Sequence, residues 1–333
     1  MSTYQPPFVI TPLILNQVIE VGELMGHWAA MAGRTSPLLR KENRIRTIQA
    51  SLAIEHNSLT TEQVTALMEG KRILAPAKDI QEVRNAILAY EKMSEWKSEK
   101  LSDLLQAHRV LMLGLVDNPG QLRTGNVGVY REKQLIHMAP PASQVFRLMN
   151  DLLGWLKTTE LHPLIAGAVF HYEFEFIHPF ADGNGRMGRL WQTLILREWR
   201  SELAWLPVET LIHYQQDRYY QVLGQCDRQS SCTPFIEFIL ENIISALQEG
   251  LGKSPALSEE MSEEMSEEMS PDLLDIEKRI LQILSNHPGR SAKSIADECE
   301  LSARTVERYL KALQLKGKLQ RVGATKGGMW RVI

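Results

Sequence analysis

No stretch of this chain comes near the roughly 18 consecutive apolar residues that a helix needs to cross a bilayer. The opening MSTYQPPFVITPLIL has no basic residue ahead of its apolar part, so no secretory leader is read there. Cysteine is scarce: Cys226, Cys232 and Cys299 are the only three in 333 residues. They form no CxxC pair, which argues against both a zinc site and a disulfide framework. Reduced thiols in a soluble, cytoplasmic protein with no membrane partner are therefore expected. A GxxxxGK[ST] stretch is also missing, so an ordinary P-loop ATPase is not supported. Nor does one sign of charge dominate. A net charge of −3 excludes a polycation built to coat nucleic acid.

What the chain does have is length and apolar content for two or three folded domains, with 44% hydrophobic residues. Most of it carries helical periodicity. PLILNQVIEVGELMGHWAAM sets Leu13, Val18, Val21, Leu24 and Met25 on one stripe. SPLLRKENRIRTIQASLAIEHN reads as a second helix, capped by Ser36 with Pro37 in its first turn. TTEQVTALMEG has a capping signal at Thr60 or Thr61 and stops at Gly70. Further helices are predicted over Ile80 to Trp96 and over KLSDLLQAHRVLMLGLV, the latter stopped by Asn118-Pro119-Gly120.

The texture then changes. TGNVGVYREKQLIHMAPPASQV is β-branched and turn-rich and predicts a hairpin closed by Pro140-Pro141. Helices resume through FRLMNDLLGWLKT, HPLIAGAVFHYEFEF, MGRLWQTLILREW, DRYYQVLGQC and TPFIEFILENIISALQE. Residues 258–269 are three copies of SEEM, a charged low-complexity spacer that marks a boundary. Beyond Pro271, three short helices and a basic, glycine-containing hairpin give the pattern of a winged helix-turn-helix. The expected division is a helical region at 1–98, a catalytic domain at 99–250, a linker at 251–271 and the winged unit at 272–333.

One stretch concentrates chemistry: FIHPFADGNGRMGRLW, Phe176 to Trp191. A turn over His178–Asn184 followed by a helix from about Gly185 would aim unpartnered amides and the positive end of a helix dipole at the turn. Glycines let anion oxygens reach those amides without meeting a Cβ. Arg186 and Arg189, three apart, share a helix face and can address the same anion with guanidinium forks. Asp182 is a hard oxygen ligand of the kind Mg²⁺ uses alongside phosphates. His178 can take a proton from a hydroxyl near neutral pH.

HPFADGNGRMGR resembles the Fic signature His-Pro-Phe-x-Asp/Glu-Gly-Asn-Gly-Arg-x-x-Arg at every specified position. The similarity spans about residues 100 to 245, with the hairpin and flanking helices. It implies a mainly α fold, with a Fic-type helical core and a β-hairpin flap. The implied activity is transfer of AMP from ATP to a Ser, Thr or Tyr hydroxyl of a target protein, releasing pyrophosphate. Residue by residue, the resemblance makes His178 the base and Asp182 the Mg²⁺ ligand. Gly183, Asn184 and Gly185 would cradle the phosphates, and Arg186 and Arg189 would neutralise them. Tyr219 and Tyr220 would line the base and ribose. In the same picture the strand Leu135, Ile136, His137 and Met138 would pair with an extended target segment.

A second resemblance points the other way. SLAIEHN, Ser51 to Asn57, is similar to the family's inhibitory helix, Ser/Thr-x-x-x-Glu-Gly/Asn, with His56 standing where Gly or Asn is expected. Glu55 would then take the charge of Arg189 and repel phosphates. The same carboxylate could instead serve removal of AMP, and transfer of another nucleotide stays open.

From Ser302 to Ile333 eight basic residues face one acid. Arg304, Arg308 and Lys311 line one face of the expected recognition helix, and Arg321 and Lys326 belong to the wing. Duplex DNA is one candidate partner; packing against protein, including a second copy in a homodimer, is the other. The competing functional reading is a DNA-binding regulator that senses nucleotide.

Overall fold

A computed structural model describes residues 4–31, 37–131, 134–252, 279–285, 287–299, 306, 310, 313, 319–322 and 329–332. Contacts divide the chain into two units, Met1–Leu251 and Gly252–Ile333. The SEEM repeats, Arg304, Arg308, Lys311 and Lys326 lie outside the described residues.

Local signals set most helix ends in the first unit. Helix α1 is Pro12–Met31 and α2 is Pro37–Ala53. Helix α3, Thr61–Met68, starts at a capping box in which Thr60 and Gln63 exchange hydrogen bonds. It is followed by Gly70 at φ 75°, the left-handed stop that glycine favours. Helix α4, Ala77–Lys92, runs into a 3₁₀ turn at Met93–Glu95, and α5 is Leu101–Leu111. The hairpin forms from β1, Gly128–Arg131, and β2, Gln134–Met138, antiparallel with a register irregularity at Val129/Tyr130. Then come α6 (Ala142–Thr158), α7 (Pro163–Ile177), α8 (Asn184–Trp199), α9 (Val208–Tyr214), α10 (Gln216–Gln229) and α11 (Thr233–Gly252).

Helices α7 and α8 form the centre. Nearly every side chain of α7 from Leu164 to Phe174 is buried, and so are those of α8 from Arg186 to Leu196. A helix apolar all round belongs inside other helices, which fits the weak amphipathicity of HPLIAGAVFHYEFEF. One continuous core joins Ile14, Ile48 and Val83 to Phe170, Trp191 and Phe235, so the N-terminal helices and the central pair are a single packed body. On α1 the buried line is Ile14, Gln17 and Val21, whereas Leu13 is half exposed. Of the expected stripe, Val21 is buried and Val18, Leu24 and Met25 pack against the core; only Leu13 falls off it, lying one residue, about 100°, around the helix from Ile14.

The second unit is a C-terminal winged helix domain. Its described parts are helical residues 279–285, the helix Ala292–Cys299, and a β3 (Leu319–Val322)–β4 (Met329–Val332) hairpin. Ile280, Leu284, Ile295, Val306, Leu313 and Trp330 make its separate core. Among the described residues, no helix is long and apolar enough to cross a membrane.

Candidate active site

The site is the turn that joins α7 to α8. His178 ends α7 in the left-handed region, φ 50° and ψ 61°, a conformation costing a non-glycine residue about 1–2 kcal/mol. Its N–H still donates to the Phe174 carbonyl at 2.9 Å. Gly183, φ 83°, precedes α8, and a Cβ there would stand 2.6 Å from Met112 Sδ. Only glycine fits both the torsion and the space.

Asn184 closes the turn on itself. Its Oδ1 accepts from Phe180 N–H and its Nδ2 donates to Phe180 C=O, both at 2.9 Å. The side chain thus shapes the loop. Asp182 stands at the lip, 56% exposed, with Oδ1 accepting from Gly183 N–H at 2.6 Å and from Arg186 Nη2 at 3.2 Å. Behind the loop, His108 stacks on Phe180 with ring centroids 3.7 Å apart. The Gly120 N–H donates to its Nδ1, so Nε2 carries the proton and donates to the Asp182 carbonyl at 3.0 Å. Burial pushes the His108 pKa down to about 4, which keeps the ring neutral in this role near pH 7.

The two arginines part ways. Arg189, almost wholly buried, donates from Nη2 to Glu55 Oε1 at 2.7 Å and to the Ser51 carbonyl at 2.9 Å. Its Nε donates to Ser51 Oγ at 3.1 Å. Burial alone opposes the guanidinium charge, but Glu55, with Tyr219 and Glu175, outweighs it and raises the Arg189 pKa above its ordinary value. Arg186 is instead turned to Glu82 on α4, Nη1 to Oε1 at 3.2 Å, and to Asp182. Asn57 Nδ2 donates to the other oxygen of Glu82 at 2.8 Å. Both arginines of the loop are therefore held by acids from the N-terminal helices.

The end of the helix carrying Glu55 explains a sequence preference. His56 sits at φ 68°; its N–H donates to Ala53 C=O, and Asn57 N–H donates to Leu52 C=O. This is a Schellman ending, whose left-handed residue is best served by Gly or Asn. Here histidine takes that conformation. Gln216 of α10 donates to the Ile54 carbonyl at 2.9 Å and holds the ending in place.

A cavity of about 140 Å³ is lined by Glu55, His178, Gly185, Arg189, Tyr219 and Tyr220, with Tyr172, Glu175, Phe176, Leu223, Gly224 and Asp227. A Cβ on Gly185 would lie 2.5 Å from Glu55 Oε1. The carboxylate rests against the first turn of α8, where backbone amides and the dipole favour an anion. Tyr219 also faces inward: its hydroxyl is 3.2 Å from His171 Nε2, whose Nδ1 meets Gln192 Oε1 at 2.5 Å. Of the expected site residues, six share this cavity; Asp182, Asn184 and Arg186 frame the loop without lining it. Leu135, Ile136 and His137 are described as backbone of β2, and Met138 is 62% exposed at its end.

Glu82, Arg123 and His108 carried no signal in the sequence. Each is a lone polar residue in an amphipathic or turn-rich segment, and only the fold brings it to the loop. Glu82→Ala leaves the Arg186 charge buried without its main partner, and loss of about 3–5 kcal/mol is expected. Thermal melts should show the midpoint falling by roughly 10 °C; an unchanged melt would mean the pair contributes nothing.

These features put a helix start, a histidine, an arginine and a carboxylate around one cavity. Comparison with known proteins gives the class. The Fic/DOC family matches residues 98–196, and winged helix-turn-helix DNA-binding matches 273–320. The structure is similar to the crystal structure of a Fic family protein from Desulfovibrio desulfuricans G20. That likeness is 46% in sequence and covers 99% of this chain and 98% of the other, with TM-score 0.72. Protein adenylyltransferase Fic of Nematostella vectensis is 30% identical over 214 residues, 60% of this chain and 47% of that protein. Protein adenylyltransferase fic-1 of Caenorhabditis elegans is 26% identical over 257 residues, 73% of this chain and 48% of that one. The chain spans about half the length of these curated relatives. It belongs to the Fic family.

Proposed function

We propose that this chain is a protein adenylyltransferase, moving AMP from ATP to a Ser, Thr or Tyr hydroxyl of a protein, and that Glu55 restrains it. The observation that carries the reading is the cavity that His178, Gly185, Arg189 and Glu55 share. His178 takes the hydroxyl proton while the oxygen bonds to the α-phosphorus. The bond from that phosphorus to the bridging oxygen breaks, and pyrophosphate leaves. Little covalent work is asked of the protein, so positioning and charge neutralisation by the α8 amides and Arg189 dominate.

Asp182 is the residue that would hold Mg²⁺. Among the described residues there is no cluster of three or more His, Cys, Asp or Glu able to hold a metal. A single exposed carboxylate fits an ion that keeps its waters and takes further oxygens from phosphates. Bound there, the ion would supply positive charge against the triphosphate.

Glu55 competes for the same ground. Its carboxylate lies on the Gly185 face of the anion site and occupies Arg189, so a γ-phosphate must displace it or bind elsewhere. Intact-mass measurement after incubation with ATP and Mg²⁺ tests the reading. An AMP adduct on the Glu55→Gly chain or a co-incubated protein, lost with His178→Ala, is the expected result. The same adduct with His178→Ala would refute the assigned base.

The match to winged helix-turn-helix DNA-binding and the basic residues between Ser302 and Ile333 favour duplex DNA as a partner of the C-terminal unit. A mobility shift that weakens steeply with salt is expected, and no binding at low salt would remove DNA from the account.

A further inference from the structure

Arg123, between α5 and the hairpin, is 6% exposed, and among the described residues it is ion-paired with no acid. Its guanidinium is satisfied by carbonyls alone. Nε donates to His178 C=O at 2.7 Å, Nη1 to Gly125 C=O at 2.9 Å, and Nη2 to Pro140 C=O at 2.5 Å and Ile177 C=O at 3.3 Å. Its own N–H donates to Pro179 C=O at 2.9 Å.

These acceptors belong to two places. Gly125 lies three residues before β1 and Pro140 two residues after β2, so they are the feet of the hairpin. Ile177, His178 and Pro179 are the backbone that presents the imidazole. The direction of the His178 carbonyl is its ψ angle, and Arg123 holds that carbonyl. A residue in the left-handed region keeps its place only when its surroundings over-determine it. The planar fork does so here, with five donors in one rigid group that a lysine's point charge cannot copy. A second staple, Ala142 N–H to Asn126 Oδ1 at 2.9 Å, joins the hairpin feet without touching His178.

We propose that Arg123 is a positioning residue that binds the hairpin feet and the His178 backbone into one piece, so that seating a target segment on β2 and placing the imidazole are coupled. The proposal rests on the reading of His178 as base and of the hairpin as the docking strand. Burial also lowers the Arg123 pKa from its ordinary value.

The test uses the full-length Glu55→Gly chain with Arg123→Gln, Arg123→Lys or Asn126→Ala, and has two arms. In the first, AMP transfer is followed by intact mass and ATP·Mg²⁺ affinity by calorimetry. Transfer should fall at least about tenfold with Arg123→Gln while affinity stays within about twofold, and Arg123→Lys should recover only part of it. Unchanged transfer, or affinity falling in proportion, overturns the proposal.

In the second arm, amide hydrogen exchange is compared over 134–138, 177–185 and the α11 segment. Arg123→Gln should speed the first two together and leave α11 protected, whereas Asn126→Ala should speed only the hairpin. Acceleration of one segment alone, or of all three, makes Arg123 a local prop or a general stabiliser and refutes the coupling. If the Glu55→Gly chain with Arg123 intact carries out no transfer, the enzymatic reading fails, and exchange still decides whether the two segments are tied.

Discussion

Replacing Glu55 by glycine is expected to raise AMP transfer about a hundredfold. A phosphate held about 1 Å from its productive place costs that order of rate. On the proposed reading wild type enforces such a displacement, because the Glu55 carboxylate lies 2.5 Å from where a Gly185 Cβ would be and engages Arg189 at 2.7 Å. The substitution removes the competing anion and returns the guanidinium to the cavity. It also removes a hydrogen bond to a charged group, so the melting point should fall, at a cost of about 1.5–3 kcal/mol. Faster chemistry from a less stable chain distinguishes release of a brake from a general improvement of the fold. Glu55→Gln separates charge from bulk: it fills the same space and can still accept from Arg189, but repels phosphate less. Activation well below that of glycine means occupancy dominates; equal activation means charge dominates. Equal transfer by wild type and Glu55→Gly would end the inhibitory reading.

His178→Ala in the Glu55→Gly chain should lower transfer by about 10²–10⁴, the usual contribution of a positioned general base. ATP affinity should hardly change, since the proposal assigns the phosphates to the α8 amides and Arg189 and not to the imidazole. Release of the left-handed strain at position 178 depends on the replacement, because alanine tolerates φ 50° no better than histidine. A His178→Asn variant, whose side chain accepts that conformation, is therefore the fairer comparison. If it loses transfer as alanine does while the melt is preserved, the missing function is proton transfer and not loop shape. Weakened nucleotide binding in both variants would show the imidazole acting in nucleotide binding itself.

Much of the site could be read from the chain because the loop is short. His178, Asp182, Gly183, Asn184, Gly185, Arg186 and Arg189 lie within twelve residues, where one turn and one helix start decide who is near whom. Ser51 and Glu55 were reached only through the resemblance to the family's inhibitory helix, and the structure puts the position where that pattern has Gly or Asn, His56, in the left-handed region. The separation of the two arginines could not. Helical spacing sets them on one face, yet Glu82, 104 residues away, draws Arg186 off toward α4. Asn184 likewise has a side chain that could serve a ligand or its own loop, and only the closed turn shows it bonded to Phe180.

By itself, the sequence determined the mainly helical class, the hairpin, the C-terminal winged unit, and the short turn that carries the Fic signature. All of these rest on neighbours within a few residues, where torsions, capping and periodicity act. Tertiary structure alone decided that Glu82 claims Arg186, that His108 backs the loop, and that Arg123 joins the hairpin to the histidine. Those outcomes depend on which distant helices share a core, and buried charges take whatever partners that packing leaves within reach.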